Sequence, residues 1–570
     1  MHLIQRELPD ANLPEDLHPV LRRLYASRGV RSENDLNLQV DQLLPYDQLK
    51  NIDQAAGLLA EALQKKQRIL IVGDYDADGA TSCAVAIRLL RQMGAEDVDY
   101  LVPNRFEYGY GLSPEIVEVA RSSSPDLIIT VDNGIASISG VDSARAAGID
   151  VLITDHHLPG ETLPDANVIV NPNQPGDEFP SKSLAGVGVI FYTMLALRAR
   201  LREQNWFQSQ AIAEPNLADV LDIVALGTVA DVVPLDRNNR ILVQQGLRRI
   251  HAGRCCEGIR ALIRVSGRDM SNLRSTDLGF AIAPRLNAAG RLQDMSVGIE
   301  CLLADDSNKA ISLAEELDDM NRERRAIGEE MQDEAKQMLV ELHLDSDELP
   351  VAYCLYQAHW HQGIVGILAG RIKDQTHRPT IVFAQGEDGD LKGSARSIPG
   401  FHIRDALDAI ASANPGLINR FGGHAMAAGL GLASDKLEAF SLAFTQYAAQ
   451  VLSDEQLQGS ILTDGELDAN EMNLETGRLL EQAGPWGQGF PEPVFEGMFR
   501  VRERRRIGAD QKHLKLTLEQ NNNTYEAIAF ACSEDDWPSS ANEVKVAYRL
   551  AVNRYRGFEN TQLMIEHVLL

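Results

Sequence analysis

The sequence predicts an α/β protein whose largest domain is a doubly wound parallel sheet with helices on both faces. Three short, continuous apolar runs support this prediction, because such runs are typical of parallel strands buried on both faces. Helix-like stretches at 81–93 and 114–122 lie between these runs, and regular alternation of β and α indicates repeated βαβ units. The three apolar runs are residues 69–72, 127–131 and 151–154.

An aspartate follows each of the three runs, either directly or after one glycine. These residues are Asp74, Asp132 and Asp155. In a doubly wound sheet the carboxyl ends of the strands lie along one edge, and ligands bind beyond that edge. We therefore expect the three carboxylates to lie close together, next to a ligand.

The rest of the chain is expected to add a long helix, a smaller α/β domain and a β-barrel. Between about residues 308 and 342, apolar residues recur mostly at spacings of three and four, which indicates one helix of about 50 Å that suits a connector. Beyond residue 459, polar and apolar residues alternate, and a small barrel of the oligonucleotide-binding (OB) type fits this region. The predicted segments are an N-terminal extension at 1–60, the main α/β domain at 61–305, the connecting helix at 306–345, the second α/β domain at 346–452 and the barrel at 459–570.

Composition excludes several classes of protein. Of the 570 residues, 44% are hydrophobic and 24% are charged, which is typical of an ordinary globular chain. The six cysteines include no C-x-x-C pair, so we expect neither a zinc ribbon nor a disulfide framework. This cysteine usage fits a protein of the reducing cytoplasm. No run of about 18 apolar residues and no signal peptide is present, so we expect a protein that is neither secreted nor membrane-spanning.

The net charge, 54 − 82 = −28, argues against nucleic acid only weakly. Phosphate binding depends largely on basic residues, so the overall field opposes it. A local basic track remains compatible with an acidic total, and a carboxylate-rich metal site is itself acidic. The function therefore has to be inferred from motifs.

The strongest motif is Val-Gly-Asp-Tyr-Asp-Ala-Asp-Gly at residues 72–79. Its three carboxylates, Asp74, Asp76 and Asp78, would repel one another without a cation, and oxygen ligands suit Mn²⁺ or Mg²⁺. An EF-hand would need a glutamate at its twelfth position, where this chain has Val85. A loop of solvated acids is the alternative without a metal.

Two further segments favour the metal site. Asp155 is followed by the adjacent histidines His156 and His157, and adjacent histidines after a strand are seldom needed for packing. Asp231 follows the apolar run 225–230, which we interpret as a further strand with an acid at its end. Together with Asp132, these residues predict two hard divalent ions, an arrangement that clamps the attacking and leaving oxygens in phosphoester hydrolysis.

These motifs resemble the DHH phosphoesterase superfamily. The segment 284–291, Pro-Arg-Leu-Asn-Ala-Ala-Gly-Arg, is similar to the arginine motif of one family within it, the RecJ family of bacterial single-strand-specific exonucleases. The segments 360–366, 393–397 and 422–424 are similar to its DHH-associated (DHHA1) domain. The resemblance covers nearly the whole chain and implies a DHH domain, a helix, a DHHA1 domain and an OB fold.

The resemblance also implies roles for the residues of the metal motifs. It implies a set of catalytic residues and a set of metal ligands, and most residues belong to both sets. It also implies that His157 faces the scissile phosphate. Many superfamily members have a histidine where this chain has Val72, so Asp74 is a less certain ligand than the others. The implied catalytic residues are Asp76, Asp78, Asp132, His156, His157 and Asp231, and the implied metal ligands are Asp74, Asp76, Asp78, Asp132, His156 and Asp231.

A second set of residues is expected to bind the DNA. Arginine forks match phosphate oxygens, and small neighbouring residues let the backbone approach. The alternative is that the glycines only form a turn and the arginines are surface charge. Trp360 and Trp486 either stack on bases or, as we favour, pack in the core or at a domain interface. The expected substrate-binding residues are Arg285, Asn287, Arg291, Ser394, Arg396, Gly422, Gly423 and His424.

The resemblance implies an enzyme that degrades single-stranded DNA from the 5′ end, releases 5′-mononucleotides and acts in recombination and repair. Two Mn²⁺ or Mg²⁺ ions would serve as cofactors. The family suggests single-stranded DNA-binding protein and a RecQ-like helicase as partners, and a cytoplasmic monomer. Two alternatives are a phosphodiesterase acting on short oligoribonucleotides or cyclic dinucleotides, and a catalytically inactive replication scaffold. Such a phosphodiesterase usually lacks the barrel, and such a scaffold loses metal carboxylates that this chain keeps.

Overall fold

The structure is a computed structural model that describes residues 2–103, 111–344, 350–386, 389–508, 511–532, 537–538, 540–555 and 557–569. Two compact units are present. One is formed mainly by residues 320–461, and the other combines residues 5–319 with 462–570. Among the described residues, no helix is both long and apolar enough to cross a membrane.

The main α/β domain contains the predicted doubly wound sheet. Its five strands are all parallel and run in the order β3-β2-β4-β5-β6. The three apolar runs form its centre, because both faces of the sheet are covered and polar side chains there would lose water. The elements of this region are β1 (His2–Gln5), α1 (Pro19–Ser27), α2 (Ile52–Gln64), β2 (Ile69–Gly73), α3 (Ala77–Gln92), β3 (Val98–Leu101), α4 (Pro114–Arg121), β4 (Leu127–Val131), α5 (Ile138–Ala146), β5 (Asp150–Thr154), β6 (Val168–Val170) and α6 (Gly186–Glu203).

A run of helices follows the sheet and ends in the predicted long helix. That helix spans Ser307–Leu344 and continues from one compact unit into the other. A π-helical turn, Leu278–Ile282, lies directly before the helix that carries the arginine motif. The helices are α7 (Trp206–Ser209), α8 (Leu221–Ala230), α9 (Arg237–His251), α10 (Glu257–Val265), α11 (Ser275–Asp277), α12 (Ala283–Leu292), α13 (Ser296–Leu303) and α14 (Ser307–Leu344).

One element of the sequence prediction is wrong. The apolar run before Asp231 belongs to helix α8, so Asp231 follows the end of a helix and not of a strand. The helix is buried along almost its whole length between other helices, and periodicity cannot separate such a segment from a buried strand. Asp231 nevertheless lies beside the strand-end residues, as described below.

The second unit contains a mixed five-stranded sheet in the order β10-β11-β9-β8-β7. Only the β7–β8 pair is parallel, and the other pairs are antiparallel. Phe383, Phe440 and Phe444 are fully buried in its core. The elements are β7 (Tyr353–Tyr356), α15 (Val365–Thr376), β8 (Thr380–Gln385), β9 (Leu391–Arg396), α16 (Ile403–Ala413), β10 (Arg420–Gly423), β11 (Ala427–Leu432), α17 (Leu437–Val451) and β12 (Ser460–Thr463).

The C-terminal region forms the predicted small barrel. The barrel is closed and has five strands in the order β13-β14-β15-β17-β16. Alternation along β14 places Leu514, Leu516 and Leu518 in its interior. The fold class read from the sequence is therefore confirmed. The elements are α18 (Leu474–Gln482), β13 (Phe495–Ile507), β14 (His513–Gln520), β15 (Asn523–Ala529), β16 (Glu543–Tyr555) and β17 (Phe558–Leu569).

The N-terminal extension, which showed no chemical motif, packs against this C-terminal region. Arg28 donates two hydrogen bonds, of 2.7 and 2.8 Å, to the carboxylate of Asp464, and both side chains are almost fully buried. Tyr25 stacks on Trp486, and the Arg28 guanidinium lies 5.4 Å from the centre of the same indole ring. A bidentate buried ion pair therefore joins two segments that are far apart in sequence.

Candidate metal centre and active site

The first carboxylates lie in the tight connection between β2 and α3. Asp76 is the N-cap of α3, and its Oδ1 accepts hydrogen bonds from the backbone N–H groups of Asp78 and Gly79, at 2.9 and 3.0 Å. Gly79 has to be a glycine, because a Cβ there would collide with the backbone of Asp74. The loop therefore folds back over the start of the helix and holds all three aspartates close together.

Asp78 is completely buried and is held by the start of helix α6. Its two carboxylate oxygens accept hydrogen bonds from the backbone N–H groups of Gly186 and Val187, at 2.6 and 2.9 Å. Burial, together with the neighbouring charge of Asp76, nevertheless raises the pKa of Asp78 to about 7. A nearby cation would stabilise the ionised form of this carboxyl group.

Asp132 and Asp231 meet at the imidazole of His156. His156 Nε2 lies 3.1 Å from Asp132 Oδ1 and 3.4 Å from Asp231 Oδ2. Burial raises the pKa of both carboxyl groups well above the usual range, and repulsion from neighbouring aspartates adds to the effect. Asp132 has a left-handed backbone, with φ of +61°, which is uncommon outside glycine and typical of functional positions.

A second layer of polar groups fixes the histidines. Asp155 is buried, and its Oδ1 accepts hydrogen bonds from the backbone N–H of His156, at 2.7 Å, and from His157 Nδ1, at 2.8 Å. Burial alone would raise the pKa of Asp155, but the hydrogen bond and charge of His157 outweigh it and lower the pKa. Burial would likewise lower the pKa of His157, and Asp155 reverses this effect and raises it.

Sequence reasoning missed three residues of this layer. Asp155 was noted as part of a motif without a role of its own. The side-chain amides of Asn171 and Asn173 donate to the carbonyl oxygens of His157 and His156, at 2.9 and 2.6 Å. The Asn-Pro-Asn sequence directly after the short apolar run 168–170 was the signal that could have identified them.

The donor set suits divalent metal ions. Three groups of side chains place one ligand atom each within 4.8 Å of one another. The donors are carboxylate oxygens and imidazole nitrogens without thiolates, which is the set that Mn²⁺ and Mg²⁺ sites use. The groups are Asp132 with His156 and His157, Asp78 with His156 and Asp231, and Asp74 with Asp76 and Asp132.

Asp74 belongs to this cluster even though Val72 cannot act as a ligand. Val72 is buried in β2, whereas Asp74 shares a candidate group with Asp76 and Asp132. Asp74 therefore stands where a missing histidine ligand could be compensated. Its role as a ligand stays a prediction.

The arginine motif forms helix α12, which packs directly on the metal loop. Asn287 Oδ1 accepts a 2.9 Å hydrogen bond from the backbone N–H of Ala77, and a Cβ at Gly290 would collide with the carbonyl oxygen of Tyr75. Arg285 is buried and forms a 2.7 Å ion pair with Asp318. Arg291 lies half-buried in the last turn of the helix.

The second unit brings the other predicted substrate residues to one end of its sheet. Strand β11 lies between β9 and β10, and it pairs Ala427 with Arg396 and Ala428 with Gly423. His424 follows directly and donates its backbone N–H to Ala427, at 2.8 Å. Gly423 has φ of +140°, which favours glycine, whereas a Cβ on Gly422 would meet nothing within 4 Å.

The side chain of Arg396 is held by neutral groups. Its Nη1 donates to the Ala395 carbonyl oxygen at 2.8 Å and to the Ser394 hydroxyl at 3.1 Å. Burial lowers its pKa, and within the described residues no carboxylate pairs with it. A half-buried cation of this kind is suited to an anionic ligand.

Trp360 and Trp486 are both buried, at 3% and 5% exposure. The Trp360 indole donates to Glu334 at 2.7 Å, and the Trp486 indole donates to the Leu480 carbonyl oxygen at 3.0 Å. Trp486 also stacks on Phe490. The structure thus supports core packing for both rings rather than contact with bases.

Comparison with known proteins agrees with this arrangement. Three family models match the chain: the DHH family N-terminal domain over residues 68–228, the DHHA1 domain over 348–450 and the RecJ OB domain over 463–567. Two relatives with sequences similar to this chain are each named single-stranded-DNA-specific exonuclease RecJ. The one from Dickeya dadantii is 53% identical over 99% of this chain and 98% of its own length, and the one from Escherichia coli is 51% identical over 100% and 99%.

Solved structures agree as well. RecJ from Thermus thermophilus in complex with Mn²⁺ matches with a TM-score of 0.80 and 32% identity, over 97% of this chain and 76% of that one. A second exonuclease RecJ bound to manganese matches with a TM-score of 0.58 and 36% identity, over 71% of this chain and 96% of that one. The resemblance read from the motifs is confirmed. The chain belongs to the RecJ family of single-stranded-DNA-specific exonucleases.

Proposed function

We propose that this protein is a metal-dependent exonuclease that degrades single-stranded DNA from its 5′ end and releases 5′-mononucleotides. Residues 61–305 would carry out the chemistry, and 346–452 and 459–570 would bind the strand. The observation that carries the proposal is the convergence of His156 with Asp132 and Asp231, in a cluster of buried carboxyl groups of raised pKa.

In this proposal the carboxylates and His156 hold two divalent ions, Mn²⁺ or Mg²⁺. Such ions lower the pKa of a water molecule and stabilise the attacking and leaving oxygens. The chain fixes its ligands rigidly, because Asp76 caps α3 and Asp78 is held by two backbone N–H groups. The proposed ligands are Asp74, Asp76, Asp78, Asp132, His156 and Asp231.

We assign His157 to the phosphoryl oxygens. Its Nδ1 faces Asp155, so Nε2 is the nitrogen that would donate to the scissile phosphate. The raised pKa favours the protonated ring, which is the form that donates at both nitrogens. Asp155 is thus a positioning residue that orients His157.

We assign the remaining predicted residues to the strand. Arg396, with Ser394, Gly422, Gly423 and His424 at the same end of their sheet, would bind phosphate. Asn287 would support the metal loop, and the same helix would present Arg291 to the phosphates of the strand. Arg285 would add its positive charge near the strand while it stays paired with Asp318.

The test is digestion of one oligonucleotide labelled at either end. With Mn²⁺ or Mg²⁺, the 5′ label should appear first as a mononucleotide, and duplex DNA and short RNA should stay intact. The Asp132→Asn variant, purified in parallel, controls for contaminating nucleases. Early release of the 3′ label, or preferred cleavage of short RNA, would contradict the proposal.

The family also suggests partners and a cellular location. We propose binding to single-stranded DNA-binding protein and to a RecQ-like helicase, by a monomer in the cytoplasm. Co-purification of each candidate with the full chain, and the mass of the protein in solution, would test this. Failure to bind either protein would remove that part of the proposal without affecting the nuclease.

A further inference from the structure

Phe280 and Val232 are among the large apolar side chains that are strongly exposed on segments carrying active-site residues. Phe280 is 79% exposed, and Val232 is 63% exposed. Val232 directly follows Asp231, and Phe280 lies one turn before Arg285. A contiguous exposed apolar patch is typical of ligand contact, whereas isolated exposed apolar side chains are ordinary.

The two segments are in contact with each other. A Cβ added at Gly279, the residue before Phe280, would lie 3.2 Å from Val229 Cγ1. Val229 lies in the last turn of α8, directly before the Asp231 corner, and accepts a backbone hydrogen bond from Val232 at 3.3 Å. The backbone next to Phe280 therefore adjoins the helix end that leads into Asp231 and Val232.

Both segments have unusual backbone conformations. Val232 has φ of +60°, which is a genuine outlier for a β-branched residue. Phe280 lies in the π-helical turn Leu278–Ile282, a feature that is frequent at functional sites. Strained backbone persists where function requires it, and here it presents apolar groups to solvent at an energetic cost.

We infer that Phe280 and Val232 form an apolar platform on which a nucleobase next to the scissile phosphate stacks. This inference rests on the proposed function, which supplies the DNA strand. Every base has a π face, so stacking holds the strand without reading its sequence. It also supplies affinity that does not depend on charge, which suits a chain with a net charge of −28.

The experiment combines a protein variant with a matched change in the DNA. Single-stranded oligonucleotides carry one abasic nucleotide at each of the first four positions in turn, and KM and kcat are measured for wild type and Phe280→Ala. On normal DNA, Phe280→Ala should raise KM by roughly five- to 150-fold, the effect expected for one lost stack. For wild type, an abasic nucleotide at one of the four positions should raise KM by a similar factor. For Phe280→Ala, the same abasic substrate should raise KM little further, because the stack is already lost.

Three further measurements make the test sharper. Phe280→Trp should retain wild-type KM, because it keeps a stacking face. Leu8→Ala removes an exposed apolar side chain (63% exposed) from the N-terminal segment, where the backbone N–H of Arg6 donates to the Thr463 carbonyl oxygen, and should change nothing. Val232→Gly removes both strain and side chain, so it should raise the melting temperature while it weakens DNA binding.

The inference is overturned if Phe280→Ala has the same KM for normal DNA as wild type. It is also overturned if the ratio of the KM of Phe280→Ala to that of wild type is the same at all four abasic positions. Unchanged DNA binding by Val232→Gly would remove Val232 from the platform. Failure of the proposed function is a separate result, because wild type would then not release 5′-mononucleotides at all. Mn²⁺ binding by Phe280→Ala, measured by calorimetry without DNA, should equal that of wild type.

Discussion

The metal centre and the Arg28–Asp464 pair both bury charged side chains, but they do so in opposite ways. At the metal centre the buried carboxyl groups have raised pKa values, as for Asp132 and Asp231. Asp464 instead receives two hydrogen bonds from Arg28 and a 3.0 Å hydrogen bond from the Val494 N–H. One region gathers charge of a single sign, and the other is balanced within the protein.

The difference shows how buried charge distinguishes a functional site from a structural one. A buried ion without a counterion costs several kcal/mol, so such a cluster persists only when a ligand compensates it. A paired ion needs no further ligand to be stable in the folded protein. Arginines show the same contrast, because Arg285 is paired with Asp318 and Arg396 has no carboxylate partner in the described part of the chain.

The largest expected effect is on catalysis. Asp132→Asn should reduce nuclease turnover to below about one-hundredth of wild type, because it removes a charged metal ligand. The metal-free variant should be as stable as wild type or more so, since repulsion among the carboxylates falls. Turnover with Mn²⁺ and the melting temperature in EDTA measure the two effects. Asp142→Asn, at an exposed position on α5, is the control and should be neutral in both.

The second expected effect is on stability. Arg28→Met should lower the free energy of unfolding by about 3–5 kcal/mol, because the buried Asp464 loses two charge-assisted hydrogen bonds and keeps the longer pairing with Arg6, whose Nε lies 3.8 Å from Asp464 Oδ1. Adding Asp464→Asn should recover part of this loss. Denaturant unfolding measures it, and turnover per folded molecule should stay normal. Lys65→Met, which breaks the exposed pair with Glu61, should have no measurable effect; an equal effect of both single variants would contradict the comparison.

The third prediction concerns the two arginines. Arg396→Ala should weaken single-strand binding by roughly ten- to 150-fold, the cost of one charge-assisted pair, and reduce the salt dependence by about one phosphate. Its melting temperature should change little. Arg285→Ala should lower the melting temperature, because Asp318 loses its partner. Wild-type affinity and salt dependence in Arg396→Ala would mean that this arginine is only surface charge.

The smallest expected effect is the pH dependence of the metal-free protein. The pKa of Asp78 is raised to about 7, so the folded state holds protons that the unfolded state releases above about pH 4. Stability in EDTA should therefore fall as pH rises from about 4 to 7, and Mn²⁺ should raise the melting temperature more at pH 8 than at pH 5.5. Thermal unfolding with and without Mn²⁺ measures this. In Asp78→Asn the dependence should be weaker, and an unchanged slope would contradict the assignment.

The sequence by itself determined those features that local pattern records. Continuous apolar runs identified the central strands, and spacings of three and four identified the long helix, because side-chain burial follows the period of the backbone. The aspartates and histidines were recognisable because they follow these strands directly. The family could be named from motifs for the same reason.

Tertiary structure alone decided which distant groups meet. Asp231 reaches His156 from the end of a helix, although the run before it was interpreted as a strand. Arg28 forms an ion pair with Asp464, more than 400 residues away in the sequence, and Arg285 forms one with Asp318. Such pairs depend on how elements pack against one another. The residues next to each partner in the sequence show no pattern that predicts this packing. The sequence therefore showed which residue types could act, and packing decided whether each charge was balanced within the protein or left for a ligand.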